Sequence, residues 1–325
     1  MKRLRAAVVG LGRIGMGYDY TNSDSKVVLT HAKAFAKHRG FDLVAGCDPD
    51  SQVGRLFSDR YHVPAYTDIE SMMRHHAPDV VALCTPTQAH DIAFFQILPF
   101  RPLAVVCEKP LAATLPRAEA MAVAAEKAGV LTAVNYQRRF DPGVNAIRQA
   151  LASGEMGEPF KVVVQYGKGF MHNGSHFVDL MCYLFGPPSQ RKILAPGRHV
   201  PPGDAEPDVR IVFGSTPVYF LAAREECYSL AEVEILTTLG RLTLAAGGAH
   251  LAWWPAVPDP LFPGYTILSQ KPRKVRSGLS RSVWHVADAV YQAVRQGEPL
   301  ASTAQTALVT QTEVEGVLTQ ARSIS

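Results

Sequence analysis

A short apolar run near the N-terminus passes directly into a glycine-rich turn. Residues 4–9 read Leu-Arg-Ala-Ala-Val-Val, and glycines follow at positions 10, 12 and 15. A strand, a glycine turn and a helix in this order suit a dinucleotide pyrophosphate: Gly10 permits a tight turn, Gly12 has no Cβ to block the phosphates, and Gly15 allows close packing of the helix. The alternative is a glycine-rich turn in some other α/β protein.

The residues after the turn extend this prediction. Arg13 and Ile14 fall in the first turn of the expected helix, where backbone N–H groups and a partial positive charge face an anion. We therefore predict that Gly10, Gly12, Arg13, Ile14 and Gly15 contact the cofactor.

An acidic residue ends the predicted second strand. Residues 41–47 are mostly apolar, and Asp48 follows them. A carboxylate at this position can accept hydrogen bonds from ribose hydroxyls and repels a 2′-phosphate, which favours NAD over NADP. The alternative is a turn-forming aspartate in Asp48-Pro49-Asp50.

The distance from the glycine turn to Asp48 exceeds the usual ~20 residues. The excess lies in residues 16–29, a polar stretch that includes Tyr18, Asp19, Tyr20 and Asn22. We interpret it as a loop inserted before a first long helix that begins near Thr30. One hypothesis is a lid that covers cofactor or substrate; the alternative is a surface elaboration or an oligomer contact.

Length and composition favour a cytoplasmic enzyme of two domains. The chain has 325 residues, 47% of them hydrophobic, and a formal net charge of +4, which implies no nucleic-acid partner. No apolar run is long enough for a signal peptide or a membrane span. The five cysteines show no CxxC spacing, and we expect no metal site.

The pattern of elements changes along the chain. Strands and helices alternate up to residue 134, which predicts βαβ units and a parallel sheet. Beyond it, short turns join successive strands, which predicts a mostly antiparallel sheet. The predicted fold class is α/β, with a Rossmann domain over 1–134 and an α+β domain with a large open sheet over 135–325. We expect the last helix to pack against the first domain. The predicted strands are 4–9, 41–47, 79–84, 102–107, 130–134, 160–166, 191–195, 208–213, 217–223, 231–237 and 241–246; the predicted helices are 30–38, 50–60, 67–75, 88–97, 115–128, 142–153, 175–185, 281–296 and the last twenty residues.

Several ordered motifs point to one family. The glycine turn is followed by Cys84-Thr85-Pro86-Thr87 with His90, by Glu108-Lys109-Pro110, by Arg138-Arg139-Phe140-Asp141-Pro142, and by Gly174-Ser175-His176-Phe177-Val178-Asp179. With these motifs the chain resembles the Gfo/Idh/MocA family of sugar and polyol oxidoreductases over nearly its whole length. The resemblance implies an NAD(H)-dependent enzyme and a homodimer or homotetramer built by the C-terminal sheet. It also implies a Lys109–Pro110 peptide that is often cis.

Lys109 follows the predicted strand 102–107, so it lies at the carboxyl edge of the sheet, where open sheets bind ligands. Its ammonium group can stabilise an alkoxide as a hydride leaves, and we expect it to be catalytic. Glu108 and Lys109 are also expected to bind the cofactor, and Glu108 to support the site by pairing with Lys109 or a backbone group. Thr85, Pro86 and His90 are expected to line the cofactor, although His90 is equally well read as a helix-end histidine.

His176 is the second predicted catalytic residue. It begins a helix and can take the hydroxyl proton, because its unperturbed pKa lies near neutrality. Asp179 shares its face and could orient the imidazole, bind a hydroxyl or simply pack. Most members of the family carry an acid four residues before this histidine, whereas this chain has His172, followed by Asn173. Either His172 takes part of that role, or Asn173 binds substrate, or catalysis is altered or lost.

The expected substrate is a small sugar-like molecule whose secondary alcohol is interconverted with a ketone. Tyr136 and Arg138 follow the last predicted Rossmann strand, and Arg138, with Lys168 and Arg224 as weaker candidates, could bind a carboxylate or phosphate. A sugar, sugar acid, polyol or nucleotide sugar would all suit. The resemblance leaves two alternatives open, an NAD-dependent glycosidase-type relative and a non-catalytic NAD-binding regulatory protein.

Overall fold

The computed structural model describes residues 2–22, 24, 26–200 and 203–324. The chain divides into two compact units. The first comprises Met1–Phe140 and Ser280–Leu308, and the second comprises Asp141–Leu279 and Val309–Ser325. The boundary predicted from the sequence lies at 134/135, with the last helix packed against the first domain; in the structure the segment Ser280–Leu308 belongs to the first unit.

The first unit contains a parallel sheet of six strands in the order β3-β2-β1-β4-β5-β6. Strands β4 and β5 are buried along their whole length, as expected for parallel strands covered on both faces. The elements are β1 Leu4–Val9, α1 His31–Lys37, β2 Phe41–Cys47, α2 Ser51–Tyr61, β3 Ala65–Tyr66, α3 Ile69–His76, β4 Val80–Leu83, α4 His90–Ile97, β5 Ala104–Cys107, α5 Leu115–Ala128 and β6 Leu131–Val134.

This strand order defines a switch point. The chain proceeds from β1 to β2 on one side and from β4 to β5 on the other, so neighbouring strands β1 and β4 send their connections in opposite directions. In open α/β sheets, ligands bind outside the carboxyl ends of the strands at such a point. The glycine turn follows β1 at this edge, and Cys84 and Thr85 follow β4.

The polar insertion is a closed loop held by one buried carboxylate. A short π-helical turn, Arg13–Gly17, follows the glycine turn, and α1 begins only at His31, close to the predicted start. Asp19 is 1% exposed and accepts hydrogen bonds from the Leu29 amide at 2.7 Å and the Thr30 hydroxyl at 2.6 Å. The Lys33 ammonium lies 3.9 Å from the same carboxylate. Asp19 therefore faces the interior of the loop.

The second unit is built on a large, mostly antiparallel sheet, as predicted. Strand β7 lies parallel to β10, and the other pairings among the described strands of this sheet are antiparallel. In β11 and β12 buried and half-buried residues alternate, so each strand presents one face to the core. The elements are α6 Pro142–Ala152, β7 Pro159–Tyr166, α7 Ser175–Phe185, β8 Pro188–Val200, β9 Asp204–Phe213, β10 Thr216–Ala222, β11 Glu232–Thr237, β12 Gly240–Ala245, β13 His250–Pro258, β14 Thr266–Leu268 and β15 Arg273–Val275.

Two helices end the chain, α8 Ser282–Gln296 and α9 Ala304–Ser323. Both were predicted, and α8 belongs to the first unit. Strands β3, β13, β14 and β15 were not predicted. Prolines at 255, 258, 260 and 263 interrupt the apolar alternation in the β13–β14 hairpin, and proline within a run normally argues against a strand.

Replacement of Asp19 tests whether its carboxylate holds the insertion. Asp19→Ala leaves the Leu29 amide and the Thr30 hydroxyl without their buried acceptor and removes the charge beside the Lys33 ammonium, so we expect a loss of about 3 kcal/mol in the free energy of unfolding. Urea unfolding measures it. The matched control is Asp24→Ala, which removes an exposed carboxylate of the same loop that accepts from the Lys26 amide. Equal losses in the two variants would contradict the anchoring role.

Candidate active site

The three glycines of the turn differ in what surrounds them. Gly10 has a φ of +87°, and a Cβ there would lie 2.6 Å from both the Cys84 carbonyl carbon and the Thr85 amide nitrogen. A Cβ on Gly15 would lie 2.1 Å from the Gly10 carbonyl oxygen. Around Gly12 no heavy atom of the described residues comes within 4 Å of a Cβ position. Gly10 and Gly15 are therefore fixed by packing, whereas Gly12 faces open space that a ligand can approach.

The short turn after these glycines places Arg13 at the surface and leaves Ile14 half-buried. The Met16 and Gly17 amides both donate to the Gly12 carbonyl at 3.0 Å. Cofactor contact by Arg13 and Ile14 stays a prediction, and it concerns a single π-helical turn rather than the start of a long α-helix.

Asp48 connects the end of β2 to the glycine turn. Its Oδ2 accepts from the Leu11 amide at 2.8 Å, and its Oδ1 accepts from the Asp50 amide at 3.0 Å. The contact with the Asp50 amide is the turn-forming role that the sequence offered as the alternative. The contact with the Leu11 amide brings the carboxylate to the glycine turn itself. Because each carboxylate oxygen has two lone pairs, both contacts leave capacity for a ribose hydroxyl.

His90 ties together the loops that follow β4 and β5. It is 1% exposed; its Nε2 lies 2.9 Å from the Thr85 carbonyl oxygen, and its Nδ1 lies 3.0 Å from the Pro110 carbonyl oxygen. A neutral imidazole carries one N–H and so donates to only one of these carbonyls at a time. Direct contact of His90 with a cofactor stays a prediction; in the structure its ring faces backbone. Pro86 is exposed, and the Lys109–Pro110 peptide is cis.

Glu108 is held at this edge by contacts with two side chains. Its Oε1 lies 2.9 Å from His31 Nε2 and accepts from Asn135 Nδ2 at 2.6 Å. The predicted partner was Lys109 or a backbone group; the structure adds two side chains, from α1 and from the residue after β6. Burial raises the pKa of Glu108, but hydrogen bonds from His31 and Asn135 and the charges of His31 and Lys109 bring it below its usual value.

Two buried polar atoms at this edge have no hydrogen-bond partner among the described residues. They are Thr85 Oγ1 and the amide oxygen of Asn135, Oδ1. Buried polar atoms are normally paired, so such orphans indicate a missing ligand or water. Together with the open space at Gly12 and the carboxylate of Asp48, they fit a polar cofactor that carries hydroxyl and amide groups.

The remaining candidates of the first unit lie in its interior or beside Glu108. Lys109 is half-buried, Tyr136 is 2% exposed and Arg138 is 8% exposed. The neighbouring Arg139 donates to the Ala301 carbonyl at 3.1 Å. Contact of Tyr136 or Arg138 with a substrate therefore stays a prediction.

In the second unit, the turn that precedes α7 carries the other candidates. His172 is exposed and His176 is half-buried. Asn173 donates from Nδ2 to the Gly167 carbonyl at 3.0 Å. Asp179 is 1% exposed and accepts from the Thr310 hydroxyl at 3.1 Å, and its orienting or substrate-binding role stays a prediction. Lys168 forms an ion pair with Glu225 at 2.9 Å, and Arg224 is exposed.

A carboxylate that sequence reasoning missed meets this turn. Asp204, the first residue of β9, accepts from the Met171 amide at 3.0 Å through Oδ1 and from the His172 amide at 2.8 Å through Oδ2. Burial, reinforced by the nearby Glu206 carboxylate, raises the pKa of Asp204 above its ordinary value, although these backbone N–H groups oppose the rise. No local sequence motif identifies Asp204 or His31 as a site residue, because each contacts its partner only in the folded chain.

Within the described ranges, no three His, Cys, Asp or Glu side chains are grouped so that they could hold a metal ion. A search of the same residues for a helix with the length and apolarity of a bilayer span found none.

Comparison with known proteins matches part of the chain to a family. Residues 4–136 match the GFO_IDH_MocA model, described as an oxidoreductase family with an NAD-binding Rossmann fold. A D-apiose dehydrogenase of Paraburkholderia graminis is 28% identical over 204 residues, 57% of this chain and 51% of that protein. The D-glucoside 3-dehydrogenase of Escherichia coli is 25% identical over 212 residues, 59% of this chain and 57% of that protein. The matched region thus spans little more than half of each relative.

A solved structure extends the likeness of the fold. The WlbA dehydrogenase of Bordetella pertussis, crystallised with NADH and UDP-GlcNAcA, superposes with a TM-score of 0.79 at 18% identity, over 100% of this chain and 97% of that chain. At this identity the match concerns the fold.

The lowered pKa of Glu108 predicts how the free energy of unfolding changes with pH. A carboxyl whose pKa is lower in the folded state stabilises the fold above its ordinary pKa and loses that contribution as the pH falls through the folded value. Glu108→Gln should therefore lower the free energy of unfolding by about 2 kcal/mol at neutral pH, and the gap should shrink below about pH 4.

Urea unfolding at a series of pH values measures that gap. The control is Glu126→Gln, which changes an exposed carboxylate of α5. A gap that stays constant or widens in acid would contradict an ionised Glu108 in the folded protein.

Proposed function

We propose that this chain, whose residues 4–136 belong to the Gfo/Idh/MocA oxidoreductase family, is an NAD(H)-dependent oxidoreductase of a sugar-like alcohol. The observation that carries the proposal is the convergence of four groups on one sheet edge. These are the glycine turn after β1, Asp48 after β2, Thr85 after β4, and Glu108 with Lys109 after β5. The names of the matched relatives support a sugar or polyol substrate, and a sugar acid or nucleotide sugar also suits the proposal.

The first unit supplies the groups that would hold the dinucleotide. Gly12 leaves space for the pyrophosphate, and Gly10 and Gly15 fix the backbone on either side of it. The Asp48 carboxylate suits the ribose hydroxyls of NAD and repels the 2′-phosphate of NADP. Thr85 Oγ1 and Asn135 Oδ1 offer further hydrogen-bonding capacity. When bound, NAD supplies the hydride acceptor or, as NADH, the donor.

Lys109 has the position and the charge to act on the reacting oxygen. Its backbone follows β5 at the carboxyl edge, and its ammonium group is electrostatically coupled to Glu108. A cation held there stabilises an oxygen that gains negative charge as hydride departs from its carbon. Its Nζ protons also allow it to donate a hydrogen bond to a ketone in the reverse direction.

We assign proton transfer to His176. It lies in the first turn of α7, and its half-buried ring can exchange a proton with substrate. The acid that most family members carry four residues earlier is replaced by the exposed His172, and the Asp204 carboxylate contacts this turn through the His172 amide. His176 therefore acts without the sequence-adjacent acid.

The cellular setting and assembly belong to the same proposal. A cytoplasmic location agrees with the composition. A homodimer or homotetramer would use the outer face of the second sheet, where Arg241 lies 4.7 Å above the Trp254 ring and 3.3 Å from Glu234. Half-buried residues of this kind alternate with core residues along β11 and β12, so the face is suited to a partner sheet.

Cofactor preference tests the role of Asp48. Asp48→Ser should weaken NADH binding and narrow the difference between NADH and NADPH, because the repulsion of a 2′-phosphate is lost. Fluorescence titration measures both affinities. Asp48→Asn keeps the shape and separates the charge from the hydrogen bond that the Leu11 amide donates. The control is Asp50→Ser, which removes a neighbouring carboxylate but keeps an N-cap residue on α2. Tighter binding of NADPH than NADH by the native chain would overturn this assignment.

Loss of the Lys109 charge tests the chemistry. Lys109→Met should preserve NAD affinity and reduce turnover by about two to three powers of ten, since it removes a donor at the reacting oxygen.

His176→Ala should lower turnover and remove a pH dependence near neutrality. The control, Lys127→Met, changes an exposed lysine of α5. NADH absorbance with a panel of sugars and polyols follows the reaction. Unchanged rates in both variants would refute the mechanism, and cofactor binding without turnover of any substrate would favour the regulatory alternative.

A further inference from the structure

An imidazole–carboxylate pair is buried beside Lys109. His31, the first residue of α1, is 1% exposed, and its Nε2 lies 2.9 Å from Glu108 Oε1. The Glu108 side chain is 12% exposed. A carboxylate taken this far out of water stays ionised only if hydrogen bonds and nearby cations compensate for its lost hydration.

Asn135 completes the cluster and leaves one atom unused. Its Nδ2 donates to Glu108 Oε1 at 2.6 Å, and this contact fixes the amide orientation because an ionised carboxylate can only accept. The amide oxygen then points elsewhere. It is buried and has no hydrogen-bond partner among the described residues, although Asn135 is only 3% exposed.

The charges that face Glu108 come from several elements. His31 from α1 and Lys109 favour its ionised form, and Asn135 assists by a hydrogen bond. Burial opposes ionisation, and Cys84 and Cys107, whose pKa values are raised by burial and by Glu108, remain neutral thiols. Without the donor from His31, burial would act on Glu108 with one hydrogen bond and one cation left to oppose it.

We propose that His31 is a positioning residue that keeps Glu108 ionised and in place, so that a fixed negative charge in the cofactor site favours NAD⁺ over NADH. This inference rests on the proposed function. The oxidised nicotinamide is cationic and the reduced one is neutral, so a carboxylate near Lys109 stabilises the oxidised form selectively. In this proposal His31 acts through its contact with Glu108.

The same helix provides a matched control. His38, at the C-terminal end of α1, is 7% exposed, and its Nε2 lies 2.9 Å from Asp288 Oδ1. The two pairs share the ring atom and the distance, although the Asp288 side chain is 37% exposed and the Glu108 side chain 12%. Asp288 belongs to α8, whereas Glu108 directly precedes Lys109. A general effect of losing an imidazole–carboxylate contact should therefore appear in both histidines, and an effect on the cofactor only in His31.

The experiment compares the dissociation constants of NAD⁺ and NADH by calorimetry, without any turnover. His31→Phe and Glu108→Gln should each weaken NAD⁺ relative to NADH by about tenfold, the order expected for loss of one nearby charge. The double variant should show no further change, because each substitution alone already removes the negative charge of Glu108. His31→Gln, which retains an N–H donor, should recover most of the native ratio, and His38→Phe should leave it unchanged.

The pH profile supplies a second readout. As the pH is lowered, the native chain should keep its preference for NAD⁺ into acid. His31→Phe should lose that preference at a higher pH than the native chain does, because burial then raises the pKa of Glu108. A native ratio in His31→Phe, additive effects in the double variant, or an equal shift in His38→Phe would overturn the proposal. If His31→Phe does not fold, the same test is made with Glu108→Gln and His31→Gln, by the ratio of their NAD⁺ and NADH dissociation constants and the pH dependence of that ratio. A native chain that binds neither NAD⁺ nor NADH would instead refute the proposed function.

Discussion

The close approach of Gly10 to the peptide between Cys84 and Thr85 sets the geometry of the whole sheet edge. A side chain at Gly10 would overlap that peptide, so β1 and β4 can end side by side only with glycine there. This contact brings the Leu11 amide within reach of Asp48 and puts the Thr85 carbonyl where His90 meets it. A backbone contact at the switch point thus determines where polar side chains from three loops converge.

Two buried carboxylates then determine how α1 enters this edge. Asp19 binds the Leu29 amide and the Thr30 hydroxyl, the two residues immediately before the helix, and His31 follows with its contact to Glu108. The insertion is therefore part of the support for the site, because its carboxylate fixes the start of the helix that carries His31. Buried charges are costly unless fully paired, and here each carboxylate has at least two donors.

The repeating patterns of the sequence were informative about the parallel sheet and the glycine turn, because both follow from local rules. Apolar runs such as Val80–Leu83 are buried on both faces, and glycine spacing reflects steric limits within a few residues. The partners of Glu108 and the role of Asp204 could not be found this way. Their contacts join residues far apart in the chain, and hydropathy patterns carry no information on such pairings. The proline-rich β13–β14 hairpin was missed because its strands do not alternate in the usual way.

The turn before α7 shows how a chemical group can be present without its usual sequence position. Family resemblance leads to an acid four residues before His176, yet His172 stands there and is exposed. A carboxylate reaches the same turn from β9, but Asp204 uses its two oxygens on the Met171 and His172 amides. It therefore shapes the backbone that leads into α7. Burial and Glu206 raise the pKa of Asp204, whereas the Met171 and His172 amides lower it, so the contacts that shape the turn also favour the ionised form of this carboxylate.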